Sequence, residues 1–191
     1  MFKDLVLANR SYRGYDETHK LTKEQLMELV DYARLAPCAI NAQPFKYFLA
    51  WEEDVVGLIQ PHTNWAGYLK EMNLPFPGTY PTAFIIVIQD LKLAKSIPLH
   101  QRDVGIVAQT ITLAAVEKGL GGCMIGSFGA EPLKAILNLG EHLEPVLVIA
   151  LGKPNEKIVL TEIDKGESIK YYRDDANVHY VPKRKLEDII L

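Results

Sequence analysis

The sequence predicts a single domain that combines α-helices with β-strands around one buried sheet. Three observations support this fold class. The chain of 191 residues, 48% hydrophobic and 24% charged, can bury one sizeable core. AFIIVIQ at 83–89 is an uninterrupted apolar run rich in β-branched residues, which is typical of a strand buried on both faces. The segment 103–118 has the length of a helix and is apolar nearly all round, as buried helices are.

Two helices are predicted near the N-terminus. The first spans 2–9 and is expected to turn three apolar residues inward: Phe2, Leu5 and Val6. The second spans 23–36, because Thr22 and Gln25 form a capping-box pattern and apolar residues follow at helical spacing. Pro37 disfavours helical geometry in the residue before it and therefore ends this helix.

The elements after residue 40 alternate between strand and helix. FKYFLAW at 45–51 is short and aromatic, which predicts a strand ahead of the buried strand at 83–89. Beyond the helix at 103–118, we predict strands at 121–127 and 145–152, with a helix at 131–139 between them.

The segment 153–191 differs from the rest of the chain. It gathers apolar side chains only at its end, at Leu186, Ile189, Ile190 and Leu191. A tail of this length without its own core is either disordered or packed on another surface, and the apolar ending favours packing. Since no repeat or second domain is evident, we treat 1–191 as one domain.

Composition excludes several classes of protein. The net charge of −3 argues against a nucleic-acid partner, because nucleic-acid-binding domains are usually strongly basic. Cys38 and Cys123 are too few for a disulfide framework, which favours a reducing compartment. The N-terminus is too charged for a secretory signal, and no apolar run approaches the roughly 20 residues that span a bilayer. We therefore expect a soluble cytoplasmic protein without a membrane partner.

Common catalytic motifs are absent. The glycine-rich segment 119–129 matches neither a P-loop nor GxGxxG, and it leads from a helix into a strand, the reverse of the order in those motifs. The five histidines are scattered and predict structural roles rather than a metal site: His19, His62, His100, His142 and His179. We expect no bound metal, and we interpret Cys38 as a packing residue rather than a nucleophile.

One polar segment is suited to an anion. In RSYR, Arg10, Ser11 and Arg13 place two guanidinium groups and a hydroxyl close together. Guanidinium donors match phosphate and other delocalised anions. The alternative is that these cationic side chains only complement the C-terminus of the first helix.

Two further segments are suited to a flat ligand. In PCAINAQPF at 37–45, the amides of Asn41 and Gln43 could hydrogen-bond the edge of a planar heterocycle, or merely cap neighbouring backbone. At Gly126, the missing side chain would let a flat ligand approach the backbone, although a tight turn or close helix packing would also explain a glycine.

These segments, in this order and at these intervals, resemble the nitroreductase family of FMN-dependent oxidoreductases over nearly the whole chain. The resemblance rests on RSYR at 10–13, APCAINAQPF at 36–45, DVGIVAQTITLAAVEKGLGGCMIGSF at 103–128, LVIALGKP at 147–154 and VPKRK at 181–185. The second and third segments are the most specific. Asn9 and Cys38 depart from the family pattern, which often has an arginine and a serine at these places.

The resemblance implies an α+β fold with a central mixed or antiparallel sheet flanked by helices. It also implies an intertwined homodimer with an exchanged C-terminal arm, in which 153–191 packs on the partner subunit. The apolar helix at 103–118 would then lie at the dimer interface.

The resemblance also implies a set of FMN-binding residues. Arg10, Ser11 and Arg13 would hold the phosphate end and the pyrimidine side, and Lys183 and Lys185 would neutralise the phosphate. The remaining positions would line the isoalloxazine ring: Pro37, Cys38, Ala39 and Asn41 from the neighbouring subunit, and the backbone of Gly126 and Ser127 near N5. Gln43 is expected to secure the loop itself.

The implied activity is transfer of a hydride from NADH or NADPH through flavin to a small electron-poor acceptor, of nitroaromatic or quinone type, in a ping-pong cycle. No side chain is required as a general acid, so we name no catalytic residue. Two alternatives remain open: a flavin-binding carrier or sensor without turnover, and a family member acting on one metabolite, such as a dehalogenase or dehydrogenase. Residues 52–80 are expected to shape the acceptor side, without assigned roles.

Overall fold

A five-stranded antiparallel sheet forms the centre of the molecule, in a computed structural model that describes residues 1–191. The helices are α1 Phe2–Ala8, α2 Lys23–Arg34, α3 Glu53–Ile59, α4 Ile97–Glu117 and α5 Ala130–Ile136. The strands are β1 Tyr15–Asp16, β2 Phe45–Ala50, β3 Ala83–Asp90, β4 Gly121–Ile125, β5 Leu143–Pro154, β6 Ile158–Ile163, β7 Tyr172–Arg173 and β8 His179–Arg184.

Strand β3 lies between β2 and β5, and all eight of its residues are buried. Ile86, for example, is paired with Phe48 on one side and with Val148 on the other. β5 also pairs with β4 and β1, which explains why it is longer than the predicted 145–152. Of the two predicted alternatives, mixed or antiparallel, the central sheet is antiparallel, and the strand buried on both faces is confirmed.

Helices cover both faces of this sheet, so the α+β class is confirmed. Because side chains alternate along a strand, Ile85 and Val87 face one cluster while Phe84 and Ile86 face another. The first cluster is completed by side chains of α2 and α4: Leu26, Leu29, Val107, Ala108 and Ile111. The second is completed by side chains of α3 and α5: Val56, Ile59 and Leu133.

Helix α2 begins as its sequence predicts. The Gln25 amide N–H donates to Thr22 Oγ1 at 3.3 Å, and the Thr22 amide N–H donates to Gln25 Oε1 at 2.9 Å. This capping box satisfies two backbone donors that a helix N-terminus otherwise leaves free. The helix ends at Arg34, close to the predicted boundary at Pro37.

Helix α4 starts earlier than predicted. It begins at Ile97 rather than at 103, because Ser96 Oγ accepts the Leu99 amide N–H at 3.4 Å and Pro98 occupies the first turn. Its buried face looks onto the sheet, whereas Leu99 and Ile106 on the opposite side remain 59% and 38% exposed. The prediction that this helix is buried on nearly all sides is therefore not met within one chain.

Helix α1 packs on α4 and has no fully buried residue. Leu5 is half-buried, but Phe2 and Val6 are 70% and 37% exposed. The expectation that all three point inward is wrong, because no other element of the chain covers the outer side of α1.

The segment after β5 forms its own small sheet, which was not predicted from the sequence. β8 is central, parallel to β6 and antiparallel to β7. We call residues 153–191 the arm; its first two residues complete β5. Tyr171 packs it against Ala66, Leu69 and Leu74 of the same chain, while the apolar C-terminal residues are exposed. Exchange of the arm with a partner subunit stays a prediction.

Neither Cys38 nor Cys123 forms a disulfide bond. None of the five helices has both the length and the apolar character needed to cross a membrane.

Candidate functional site

The arginine segment, residues 9–13, runs beside the start of β4. Ser11 forms a parallel bridge with Gly122, and the Tyr12 amide N–H donates to the Gly122 carbonyl at 3.1 Å. A Cβ added at Gly121 would lie 2.5 Å from the Tyr12 ring, so this approach requires glycine. Asn9 ties the segment to α4, since its Nδ2 donates to Thr112 Oγ1 at 3.0 Å.

Arg10 has both a structural contact and a free donor. Its Nη2 donates to the Val6 carbonyl at 2.7 Å in the last turn of α1, which matches the interpretation of a cationic residue at a helix C-terminus. Its Nε, however, is buried without a hydrogen-bond partner. Burying such a donor unpaired is costly, which is what a missing acceptor would explain.

Arg13 is held from three sides. Its amide N–H donates to the Glu156 carboxylate, its Nη1 donates to the Ser11 carbonyl at 3.3 Å, and its guanidinium lies 4.9 Å from the centre of the Tyr171 ring. The side chain is 9% exposed, and its Nε also has no partner. A planar guanidinium fixed in this way is well suited to a flat polar edge.

The other end of β4 leaves open backbone. A Cβ added at Gly126 would meet no atom within 4 Å, and its φ is not in the left-handed region. Close helix packing and a tight turn therefore do not explain this glycine. Ser127 is exposed, and its carbonyl and Oγ accept hydrogen bonds from Asn64 at 2.9 and 3.3 Å. About four residues of strand, roughly 13 Å, separate this place from the arginine segment.

The loop of residues 37–43 is strained. Ile40, Asn41 and Gln43 have φ of +49°, +54° and +46° without being glycine, and a β-branched residue is an outlier there. Gln43 Nε2 donates to the Asn41 carbonyl at 3.4 Å, so Gln43 secures the loop as expected. Ile40 is 90% exposed. Strain of this kind persists only where the surroundings enforce it, which is common at functional sites.

Asp103 of α4 provides that enforcement. Its carboxylate accepts the Ala39 amide N–H at 3.1 Å, the Cys38 thiol at 3.4 Å, and a hydrogen bond from His100 Nδ1 at 2.7 Å. Burial alone would raise the pKa of Asp103, but these donors together lower it below its usual value. Burial and the nearby carboxylate raise the pKa of the Cys38 thiol, which argues against a reactive thiolate.

Within one chain, the structure does not bring this loop together with the arginine segment. The loop is fixed to α4 at Asp103, whereas the arginine segment is fixed at Thr112, nine residues further along the helix. That spacing corresponds to roughly 13 Å along the helix axis. The predicted site therefore consists of two separate parts on each chain.

Lys183 lies on β8 and Lys185 just after it. Neither forms a hydrogen bond or an ion pair with the arginine segment. Lys183 is exposed and stands opposite Glu162 of β6. Lys185 Nζ pairs with Asp164 at 2.5 Å. Their assignment to the phosphate stays a prediction.

His179 at the start of β8 is a second buried histidine. It is 1% exposed, and both of its ring nitrogens lack hydrogen-bond partners. Its ring packs edge to face with the Tyr171 ring, and the ring centres are 5.5 Å apart. Burial, followed by the charges of Arg13 and Arg173, lowers its pKa from 6.5 to about 4.

This pKa predicts a loss of stability in mild acid. The unfolded chain takes up a proton on His179 near pH 6.5, whereas the folded chain does so only near pH 4, so stability falls as the pH drops between these values. Between about pH 7.5 and 5 the loss is about 2 kcal/mol from this residue. Urea unfolding at both pH values measures it.

His179→Phe keeps the ring contact and is expected to reduce that pH dependence, while His19→Gln at an exposed histidine leaves it unchanged. An unaltered pH dependence in His179→Phe would show that another group is responsible.

Three parts of this site were missed from the sequence: Asn64, the His100–Asp103 pair and Glu156. His100 and Asp103 have the i, i+3 spacing of one helix face, but the predicted helix began only at 103. Asn64 lies in the segment left without roles. Glu156 contacts Arg13 across 143 residues of chain, which no local pattern reveals.

The residues present fit an anionic flat cofactor such as FMN. Two buried guanidinium nitrogens without partners, on Arg10 and Arg13, offer donors to an anion. The open backbone at Gly126 admits a flat ring. Neither feature is explained by contacts within the chain.

Comparisons with known proteins show which family the chain resembles in sequence and in fold. The sequence model described as "Nitroreductase family" matches residues 6–153. A Bacillus subtilis protein named as an NAD(P)H nitroreductase, MhqN, is 25% identical over 190 residues, covering 80% of this chain and 88% of its own length. The iodotyrosine deiodinase of Thermotoga neapolitana is 24% identical, covering 94% and 97%. A crystal structure from Exiguobacterium sibiricum, described as a nitroreductase in complex with FMN, is similar in fold with a TM-score of 0.64 and 20% identity, covering 82% and 89%.

Proposed function

Because the chain belongs to the nitroreductase family, an oxidoreductase family, we propose that it uses FMN to oxidise NADH or NADPH and to reduce a small electron-poor acceptor of nitroaromatic or quinone type. The observation that carries the proposal is the arrangement along β4. Guanidinium nitrogens without partners lie beside its first residues, and open backbone lies just past its last one.

Each part of that arrangement has a distinct role in the proposal. Arg10 and Ser11 hold the phosphate, and Arg13 donates to the pyrimidine side, where it favours negative charge. The backbone of Gly126 and Ser127 lies against the ring. Bound FMN would supply the hydride chemistry of both half-reactions of a ping-pong cycle. The protein's own contribution is position, charge and exclusion of water, so we assign no catalytic side chain.

We propose that a second copy of the chain completes the site. Pro37, Cys38, Ala39 and Asn41 lie on a loop that is separate from the arginine segment of the same chain, so a partner's loop has to supply these contacts. Apolar side chains on the loop and α4 support a homodimer, since Ile40 is 90% and Leu99 59% exposed. In such a dimer the exposed apolar end of the arm would pack on the partner.

The similarity to an iodotyrosine deiodinase over 94% of the chain supports a second candidate, a reductive dehalogenase. A carrier or sensor without turnover is a third. Steady-state oxidation of NADH and NADPH separates catalyst from carrier when it is followed with a quinone, a nitroaromatic and an iodinated phenol in turn. Turnover only with the iodinated phenol would favour the second candidate.

The purified protein is expected to be yellow, with a flavin absorbance spectrum and about one FMN per chain. Released cofactor identified by chromatography distinguishes FMN from other flavins. A colourless protein that also fails to bind added FMN in a fluorescence titration would contradict the proposed function.

A further inference from the structure

A mixed cluster of three side chains joins the 37–43 loop to α4. His100 Nδ1, Asp103 Oδ2 and Cys38 Sγ all lie within 4.8 Å of one another. His100 and Asp103 are 1% and 4% exposed, whereas Cys38 is half-buried. We propose that these three residues bind one divalent transition-metal ion of the Zn²⁺ type.

Two of the three distances between the ligand atoms are close to those of a bound ion, and the third, from Sγ to Nδ1, is within 4.8 Å. In a tetrahedral site with bonds of roughly 2.0–2.3 Å, ligand atoms lie roughly 3.3–3.5 Å apart. Sγ and Oδ2 are already 3.4 Å apart. Nδ1 and Oδ2 are 2.7 Å apart, so they have to separate by roughly 0.6 Å. Because His100 and Asp103 are one turn apart on α4, a small rotation of either side chain achieves this.

The chemistry of the donor set selects the metal. One sulfur, one imidazole nitrogen and one carboxylate oxygen suit Zn²⁺ and similar borderline ions, while Mg²⁺ and Ca²⁺ prefer oxygen ligands alone. Three protein ligands leave the fourth position for water.

Asp103 is already oriented for this role. Its other oxygen, Oδ1, accepts the Ala39 amide N–H at 3.1 Å, which is the kind of outer contact that fixes a ligating carboxylate. Metal binding would displace the thiol proton of Cys38, so affinity is expected to increase with pH. Two protons move when the ion binds: the Cys38 thiol loses its proton to solvent, and the His100 proton that Nδ1 donates to Asp103 is transferred to Nε2, so that Sγ and Nδ1 each gain a metal bond with no change in oxidation state.

The metal site and the cofactor proposal share Cys38 but can be tested separately. The metal site rests on Cys38 of the loop and on His100 and Asp103 of α4, whereas the flavin assignment rests mainly on the two ends of β4. Absence of FMN from the protein would not affect the metal test, and absence of metal binding would not affect the FMN test.

The test is a calorimetric titration with ZnCl₂. The purified protein is first treated with a chelator and a reductant. We expect one Zn²⁺ per chain and no heat of binding with MgCl₂. Cys38→Ser, His100→Gln and Asp103→Asn should each weaken Zn²⁺ binding by at least about tenfold. Cys123→Ser, which removes the other thiol, is the matched control and should bind as the parent does.

Co²⁺ provides a second readout, which reports whether a thiolate is among the ligands. A thiolate-to-cobalt charge-transfer band is expected in the difference spectrum of the parent and of Cys123→Ser, and not in that of Cys38→Ser. Circular dichroism shows whether Asp103→Asn still folds, and Cys38→Ser decides the question if it does not. Zn²⁺ binding that is unchanged in both Cys38→Ser and His100→Gln, or no stoichiometric binding in the parent, would overturn the proposal.

Discussion

Glu156→Gln is expected to lower the free energy of unfolding by about 3–5 kcal/mol. Glu156 accepts hydrogen bonds from the Arg13 amide N–H and from Arg173 Nη2, and the two side chains of the ion pair are 5% and 4% exposed. Removing the carboxylate leaves the Arg173 charge buried without a counter-charge, near the buried guanidinium of Arg13. Urea denaturation followed by circular dichroism measures the loss.

The exposed pair of Lys20 and Glu53, 3.6 Å apart, is the matched control. Glu53→Gln is expected to cost less than about 1 kcal/mol, because exposed ion pairs contribute little. Arg173→Met combined with Glu156→Gln should cost less than the sum of the single changes, since the double variant no longer buries an unpaired Arg173. A cost for Glu156→Gln no larger than that of Glu53→Gln would contradict the interpretation.

Elements with strong local signals could be predicted from the sequence. The β3 run has apolar residues on both faces, and the Thr22–Gln25 pattern satisfies helix donors within four residues, so neither depends on distant parts of the chain. The start of α4 is also local, because Ser96 followed by Pro98 is a typical helix beginning, but the charged and polar residues before 103 obscured it.

The arm was harder to predict because its strands are stabilised mainly by each other. β6 reads IVLTEI, a sequence with a β-branched start that matches a strand, but its partner β8 contains Pro182 and two basic residues. Proline is expected only at the edges of sheets, so this strand looked like a polar tail. Pro182 is placed opposite Thr161 in a small parallel ladder, where few backbone groups need pairing.

The candidate site shows the same difference between local and long-range contacts. The arginine segment, the 37–43 loop and the open glycine at 126 each occupy a few consecutive residues, so sequence motifs revealed them. The contacts that orient them span the chain: Asp103 reaches Ala39 across 64 residues, and Glu156 reaches Arg13 across 143. Such pairs arise from the packing of α4 and the arm, which periodicity does not encode.

Replacing Lys183 and Lys185 together with alanine is expected to weaken FMN binding by at least about tenfold while leaving riboflavin binding nearly unchanged. Alternate residues of an extended strand point the same way, so both ammonium groups can reach one phosphate. Charge-assisted hydrogen bonds contribute roughly 1.5–3 kcal/mol each, which corresponds to about ten- to a hundredfold in affinity. Riboflavin lacks the phosphate, so fluorescence titrations with the two flavins isolate the contribution of the lysines to phosphate binding.

The competing explanation is that these lysines serve the arm alone, since Lys185 pairs with Asp164 and Lys183 stands opposite Glu162. Asp164→Asn separates the two explanations, because it frees Lys185. If the phosphate uses Lys185, this variant binds FMN at least as tightly as the parent, whereas the double alanine variant does not. Lys95→Ala with Lys165→Ala, at two exposed lysines, removes the same charge and controls for long-range attraction. Parental FMN affinity in the Lys183/Lys185 variant would show that neither lysine contributes to FMN binding, and the phosphate would then rest on Arg10 and Ser11.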